Sequence, residues 1–465
     1  MSLTPSLSQH RTPCGAGTST SRHQKAAWAS VALWILIWAG YNTGPWVVAR
    51  PGFPASKLEF FQGIRAFFPQ LAGWLALLWL LLQQKVKSWT LEGPLGLMLL
   101  FSLVGVVSSL LFSPYEFQSA YWGLAFASTA LVAIVILSNE RPVEAASALL
   151  TLSEFIAVFM MAGIIVGMPL LGGSSVLPGD PLALHSVTSG YATAGFLGMA
   201  GTRNTGFARY AAVAGLAALG RIWRGKPFYR LLWLGVLVVA GYCLFAAQGR
   251  SEILGFAAGS FIILMLRRSR RAILVVWGVM LTALMALGHV FDQLWDYGTR
   301  TGHFDPSLSG RTVLWQQGWV LFKHSPWIGL GFQADRYFPP HQQISNTLMH
   351  ALVQTGLLGT LAFMIAMILA IVLMVKLYVT SQTTRSAIFR DEVPGLLAFF
   401  IVLSITESTA FFSASWLLLA PVLAYIQVLA WQQKALRAKM SYARRFPHLA
   451  GPGPALRARE AAEGH

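Results

Sequence analysis

Thr347 to Lys376 reads TLMHALVQTGLLGTLAFMIAMILAIVLMVK, with no Asp, Glu or Arg and no Lys before the final residue. A helix crosses the ~30 Å hydrocarbon core of a bilayer with ~20 apolar residues, and this stretch exceeds that. It lacks the period-two alternation of a membrane β-barrel strand. The rest of the chain has the same character. Of its 465 residues 55% are hydrophobic and 11% charged, against ~25% charged in soluble domains. So few charges cannot cover a soluble protein of this size, and so apolar a chain is not disordered. The formal net charge of +17 does not point to nucleic acid, because a basic groove needs a polar scaffold. Cys14 and Cys243 give neither a disulfide framework nor metal-ligand spacing.

Twelve segments qualify as spans: residues 27–43, 66–83, 94–112, 119–138, 147–168, 206–220, 230–247, 252–266, 272–290, 347–376, 394–412 and 414–431. The expected fold is all-α, a polytopic integral membrane protein of about 12 transmembrane helices. With the N-terminus inside, 24 of the 34 basic residues fall on inside segments, as the positive-inside rule requires. That side then carries the whole +17, so the high net charge reflects topology. Residues 1–26 read as a polar cytoplasmic arm and not a signal peptide. Residues 27–431 form the transmembrane domain, and residues 432–465 a basic cytoplasmic tail.

Three outside regions are long. Residues 44–65 mix aromatic and basic side chains, as an interfacial helix or an aromatic belt does. Residues 169–205 are rich in Gly and Ser. Residues 290–346 form the largest loop, between spans nine and ten. Within it Thr312 to His324 is amphipathic after the Ser309-Gly310 entry.

Positive-inside bias should deplete arginine from the outside, yet Arg203, Arg209, Arg250 and Arg311 cluster near the outer ends of spans. Such a group calls for an anion. The guanidinium fork bonds two phosphate oxygens at once. The alternatives are snorkelling to lipid headgroups or pairing with Glu252, Asp292, Asp296, Asp305 or Asp335.

At these residues the sequence resembles the O-antigen ligase and O-antigen polymerase superfamily. Ser309-Gly310-Arg311-Thr312-Val313-Leu314-Trp315 is similar to its Ser-Gly-Arg-x-x-x-Trp. His324-Ser325-Pro326-Trp327-Ile328-Gly329-Leu330-Gly331-Phe332 resembles its His-Pro turn with spaced glycines. Asn346 with Gly356 and Gly359 matches its helix-opening pattern, and Gly249-Arg250-Ser251-Glu252 stands at its Ser-Arg-Gly position. The likeness covers most of residues 200–420. It implies a glycosyltransferase of the bacterial inner membrane with its active site on the periplasmic face, needing no metal and no cofactor. The donor would be an oligosaccharide on undecaprenyl diphosphate. The acceptor would be another lipid-linked repeat unit in a polymerase, or lipid A-core in a ligase. Membrane lipid, and other polysaccharide-assembly proteins, are the partners it implies; nucleic acid is not one.

On that resemblance Arg250 and Arg311 are catalytic candidates, stabilising charge on the leaving diphosphate. Arg203, Arg209, Glu252, Asp335 and Asn346 are substrate-binding candidates. Ligases of the family carry His where this chain has Ser345, which favours a polymerase and leaves the general base open among His350, His341 and Asp335. Ser345 itself suits a helix N-cap. Glu154 and Glu407 fall inside spans five and eleven, where a carboxylate is costly. They raise an alternative, a secondary transporter or lipid-linked glycan flippase, which predicts internal repeats and broken helices. The sequence shows no repeat.

Overall fold

The computed structural model describes residues 31–41, 66–83, 90–170, 204–223, 226–247, 249–266, 311–338, 343–381 and 390–445, with residues 29 and 64. These residues form helices and no strand. In chain order the helices are α1 (Val31–Gly40), α2 (Phe68–Gln83), α3 (Pro94–Phe112), α4 (Glu116–Leu137), α5 (Pro142–Leu170), α6 (Asn204–Arg221) and α7 (Pro227–Ala246). After them come α8 (Arg250–Leu266), α9 (Arg311–His324), α10 (Ala334–Tyr337), α11 (Thr347–Ser381), α12 (Glu392–Thr406) and α13 (Ala414–Arg445). Among the described residues six helices are long and apolar enough to cross a membrane. The protein is an all-α polytopic membrane protein. A helix covers part or all of eleven of the twelve expected spans. The ninth, 272–290, lies outside the described residues, as do 1–26, 44–63 and 171–203.

Burial sorts the helices into layers. The apolar span of α13 is 89% buried and that of α4 is 83% buried, against 22% for α7. So α13 and α4 form the centre, where Phe126 stacks on Trp416 at 4.1 Å. The outer helix α7 shows Leu231, Leu234 and Val238 to the surroundings, as a lipid-facing helix does. Beyond the expected end of the last span, α13 runs on as helix to Arg445.

Two helices are broken, and each break is filled by protein. In α11 the break is at Gly356, with φ 58° and ψ −161°. A loop inserts there. Leu330 N donates to Val353 O at 2.8 Å and Gly331 N to Gln354 O at 2.9 Å, while Leu357 N donates to Pro326 O at 2.8 Å and Leu358 N to Trp327 O at 3.0 Å. Four of the freed helical groups therefore find partners in the loop, as backbone at membrane depth requires. Gly329, at φ 74°, faces the same break, and a Cβ on it would lie 2.4 Å from Gln354 C. A Cβ on Gly356 would lie 2.4 Å from Ile328 N. The two glycine motifs of the sequence are thus two halves of one interlock. Phe332 completes it, packing on Phe101 at 5.7 Å and Phe126 at 5.8 Å. Its backbone bonds the hydroxyls of Ser109 and Ser119.

The second break corrects the expected span 394–412. Helix α12 ends at Thr406, Glu407 is extended, and α13 starts at Ala414. Fifteen helical residues reach only ~22 Å. The polar run Glu407-Ser408-Thr409 offers side-chain oxygens that compete with helix bonds. Residues 408–413 are buried, and the start of α11 holds them. Thr347 Oγ1 donates to Glu407 O at 2.9 Å and accepts from Thr409 N at 3.0 Å. Broken helices are thus present, as a transporter would have them, but loop and helix backbone seal them.

Candidate functional site

Three helix starts and one helix end converge at one end of the bundle. Arg209 comes from the second turn of α6, Ser251 and Glu252 from the first turn of α8, Arg311 from the first residue of α9, and Glu407 from the end of α12. Arg209 donates through Nε to Glu252 at 3.2 Å and through Nη2 to Glu407 Oε2 at 2.9 Å. Arg311 donates through Nη2 to Glu407 Oε1 at 3.1 Å, and its Nη1 lies 3.5 Å from Ser251 Oγ. Glu407 therefore bridges two arginines, one with each oxygen. Side-chain exposure grades outward: Glu252 1%, Arg209 9%, Glu407 12% and Arg311 24%. Arg250 is half-buried at the start of α8, beside the two residues that touch the other arginines.

A second group adjoins the first through the peptide Glu407-Ser408. His350 Nδ1 lies 2.6 Å from Ser408 Oγ, and its Nε2 lies 3.2 Å from Asp335 Oδ1. With its amide oriented to satisfy both ends, Gln354 donates to Ala410 O at 2.9 Å and accepts from His350 Nε2. Two acceptors facing Nε2 place the ring proton there, which leaves Nδ1 to accept from the Ser408 hydroxyl. Asp335, His350 and Ser408 are each at most 1% exposed. Burial pushes the Asp335 carboxyl up, but His350, Arg336 and the Ile344 amide outweigh it and hold it below the usual carboxylate value. Ile344 N donates to Asp335 Oδ2 at 2.7 Å.

The structure separates the sequence candidates. It brings Arg209, Arg311 and Glu252 together and seats Arg250 beside them. Asp335 joins His350 and not an arginine of the cluster. Asn346 is occupied in the fold: Met349 N donates to its Oδ1 at 2.9 Å, and its Nδ2 donates to Ile405 O at 2.8 Å. It is Asn346, not Ser345, that caps α11. Arg203 and His341 lie outside the described residues. The sequence reading missed the role of Glu407. Its signal was an acid at membrane depth opposite a surplus of outer arginines.

Glu154 belongs elsewhere. It accepts from Arg390 Nη2 at 2.6 Å and from Arg221, and Arg390 Nε also donates to Glu392 at 2.7 Å. Arg209 and Arg221 are twelve residues apart on α6, which sets the two ionic groups ~18 Å apart along that helix. Neither Glu154 nor Glu407 is an unpaired intramembrane acid, which removes the sequence argument for a transporter. Their sequence neighbours Ser153 and Ser404 bond other groups: Ser153 Oγ accepts from Trp34 Nε1 at 3.0 Å, and Ser404 Oγ donates to Phe400 O at 2.7 Å.

Comparison with known proteins locates the same region. Residues 235–364 match the family model described as O-antigen ligase. The chain is 29% identical over 219 residues to the exopolysaccharide production protein ExoQ of Rhizobium meliloti (strain 1021), covering 41% of this chain and 47% of that protein. It is 25% identical over 225 residues to the teichuronic acid biosynthesis protein TuaE of Bacillus subtilis (strain 168), covering 43% and 46%. The match thus spans about half the length of these curated relatives. The family match over residues 235–364 takes in Arg250, Glu252, Arg311, Asp335 and His350, while Arg209 and Glu407 come from helices on either side of it. Residues 235–364 are thus similar to the O-antigen ligase family, and the resemblance read from their arginine and glycine motifs holds.

Proposed function

We propose that this protein is a bacterial inner-membrane glycosyltransferase that polymerises undecaprenyl-diphosphate-linked oligosaccharides into exopolysaccharide or O-antigen, with its site on the periplasmic face. One observation carries the reading: Arg209 and Arg311 converge from separate helices on one anionic position, filled by the Glu407 carboxylate. A lipid diphosphate is an anion of the kind such a pair grips. In the reaction the acceptor hydroxyl attacks the anomeric carbon opposite the diphosphate. A new carbon–oxygen bond forms, the bond to the diphosphate oxygen breaks, and the anomeric centre inverts. The hydroxyl proton leaves to a base, and the bonding pair leaves with the diphosphate. Donors fixed where that charge grows lower the barrier without reorganising. His350, oriented by Asp335, reaches the arginine group through Ser408 and is the base this reading favours.

The family description, O-antigen ligase, favours a second reading, transfer to lipid A-core. The exopolysaccharide and teichuronic acid relatives and Ser345 favour polymerisation. Proteoliposomes given the lipid-linked unit separate the two. A polymerase makes a ladder from that substrate alone, and a ligase needs lipid A-core. If neither product forms while the glycan crosses the bilayer, the protein is a transporter.

A further inference from the structure

The bridge between the arginines has a second consequence, which rests on the reading of Arg209 and Arg311 as a diphosphate grip. We propose that Glu407 is an exchangeable counter-ion. Its carboxylate occupies the position between Arg209 and Arg311 that a donor phosphate takes, and donor binding exchanges one for the other.

Four observations carry this. First, the two Glu407 oxygens go to different arginines, at 2.9 and 3.1 Å. A phosphate presents two oxygens to two donors in the same way. Second, exposure is asymmetric: Glu252 is 1% exposed, but Glu407 and Arg311 keep 12% and 24%. Of the two carboxylates, only Glu407 is accessible from the surface. Third, Arg209 does not depend on Glu407 alone. Its Nε stays on Glu252 at 3.2 Å, so releasing Nη2 leaves the guanidinium oriented. Fourth, the Glu407 backbone is fixed at both ends. Its N–H donates to Leu403 O at 2.8 Å and its carbonyl accepts from Thr347 Oγ1 at 2.9 Å. Exchange therefore needs only side-chain rotation.

Charge balance points the same way. Arg209 and Arg311 already face Glu252 and Glu407. With Arg250 beside them the group holds three positive charges against two negative, so adding a doubly charged diphosphate would still leave negative charge in excess in a largely buried place, where it is expensive. Moving Glu407 out to water removes one of those charges as the diphosphate enters. Until then Glu407 neutralises the two arginines, and it raises the concentration at which a bare anion binds.

The test is pyrophosphate binding by calorimetry to the full chain in lipid nanodiscs. Glu407→Gln removes the competing charge and should tighten binding about tenfold, the gain expected when the competent state rises from roughly a tenth to most of the population. Glu252→Gln loosens Arg209 and should weaken binding. If the wild type binds but Glu407→Gln binds equally or more weakly, or if both variants tighten alike, Glu407 is a fixed strut or a general charge and the exchange is overturned. If Glu407→Gln does not insert, Glu407→Asp serves: its shorter side chain cannot span both arginines, so binding should still tighten, and unchanged binding refutes the exchange. Should the wild type bind pyrophosphate and Arg311→Ala bind it as tightly, or should neither the wild type nor Glu407→Gln bind it, the grip itself falls, and the exchange with it.

Discussion

Arg311 and Glu407, 96 residues apart in the chain, meet at 3.1 Å where α9 begins and α12 ends. The contact ties the start of α9 to the end of α12. It also ties the domain matched by the family model to a helix outside that match. Arg209, Arg311 and Glu252 form one group through it, and Ser408 connects that group to His350 and Asp335.

The interlock of Gly329 and Gly356 should be intolerant of any side chain. Gly356→Ala puts a Cβ 2.4 Å from Ile328 N at φ 58°. The left-handed backbone alone costs an alanine about 1–2 kcal/mol, and the collision adds to it. Thermal unfolding in detergent should show a clear loss of stability, and limited proteolysis should cut within residues 325–338. Gly235 has open space around it. Gly235→Ala should therefore be neutral or mildly stabilising by the same assays.

Glu154 should behave as a structural ion-pair partner. Glu154→Gln leaves Arg221 and Arg390 short of a buried counter-charge, and breaking such a pair costs about 3–5 kcal/mol. Protein yield and unfolding temperature should fall. The fraction that folds should still make polymer, since the group lies ~18 Å from the arginine site. Intact stability with lost function would instead restore the transporter reading.

How much of this could be read beforehand varied with the kind of interaction. Spans such as 347–376 announce themselves because bilayer thickness imposes a length and a composition. Arg311 and Arg250 stood out because positive-inside bias makes outer arginines rare. What the chain did not reveal was pairing at a distance. Nothing near Glu407 in sequence predicts Arg209, 198 residues earlier. Nothing near His350 predicts that Asp335 would serve it. The break in α12 was hidden for a related reason: Phe411 and Phe412 continue the apolar run through residues that leave the helix. Hydropathy cannot separate a lipid-facing helix from an extended strap buried in protein.

The Asp335 carboxylate should make loop docking sensitive to acid. Its folded value lies below the ordinary one, near ~3.9 for an unperturbed aspartate. Its contribution is therefore fully present above ~pH 4 and is lost as pH falls through the folded value. Hydrogen exchange at residues 343–350 should stay slow down to that range and quicken below it. In Asp335→Asn exchange should be fast even at neutral pH.

His350→Ala should lower turnover by about 10²-fold or more if the ring accepts the acceptor's proton. Ser408→Ala should cost less, because it removes a relay and not the base. Single-turnover rates with saturating lipid-linked donor distinguish these from losses in binding. Equal losses in both variants, with intact stability, would mean that the Asp335–His350–Ser408 chain acts as one unit.

The central claim is that Arg311 grips the leaving diphosphate, and one rate measurement tests it most directly. Wild type and Arg311→Lys are reconstituted at equal density with undecaprenyl-diphosphate-linked repeat unit, and polymer is counted per protein. Lysine keeps the charge but not the two-pronged geometry. The account predicts a rate at least about 10²-fold lower for Arg311→Lys, with single units left on the lipid and unfolding temperature close to wild type. Wild-type chain growth by a stable Arg311→Lys protein would contradict it.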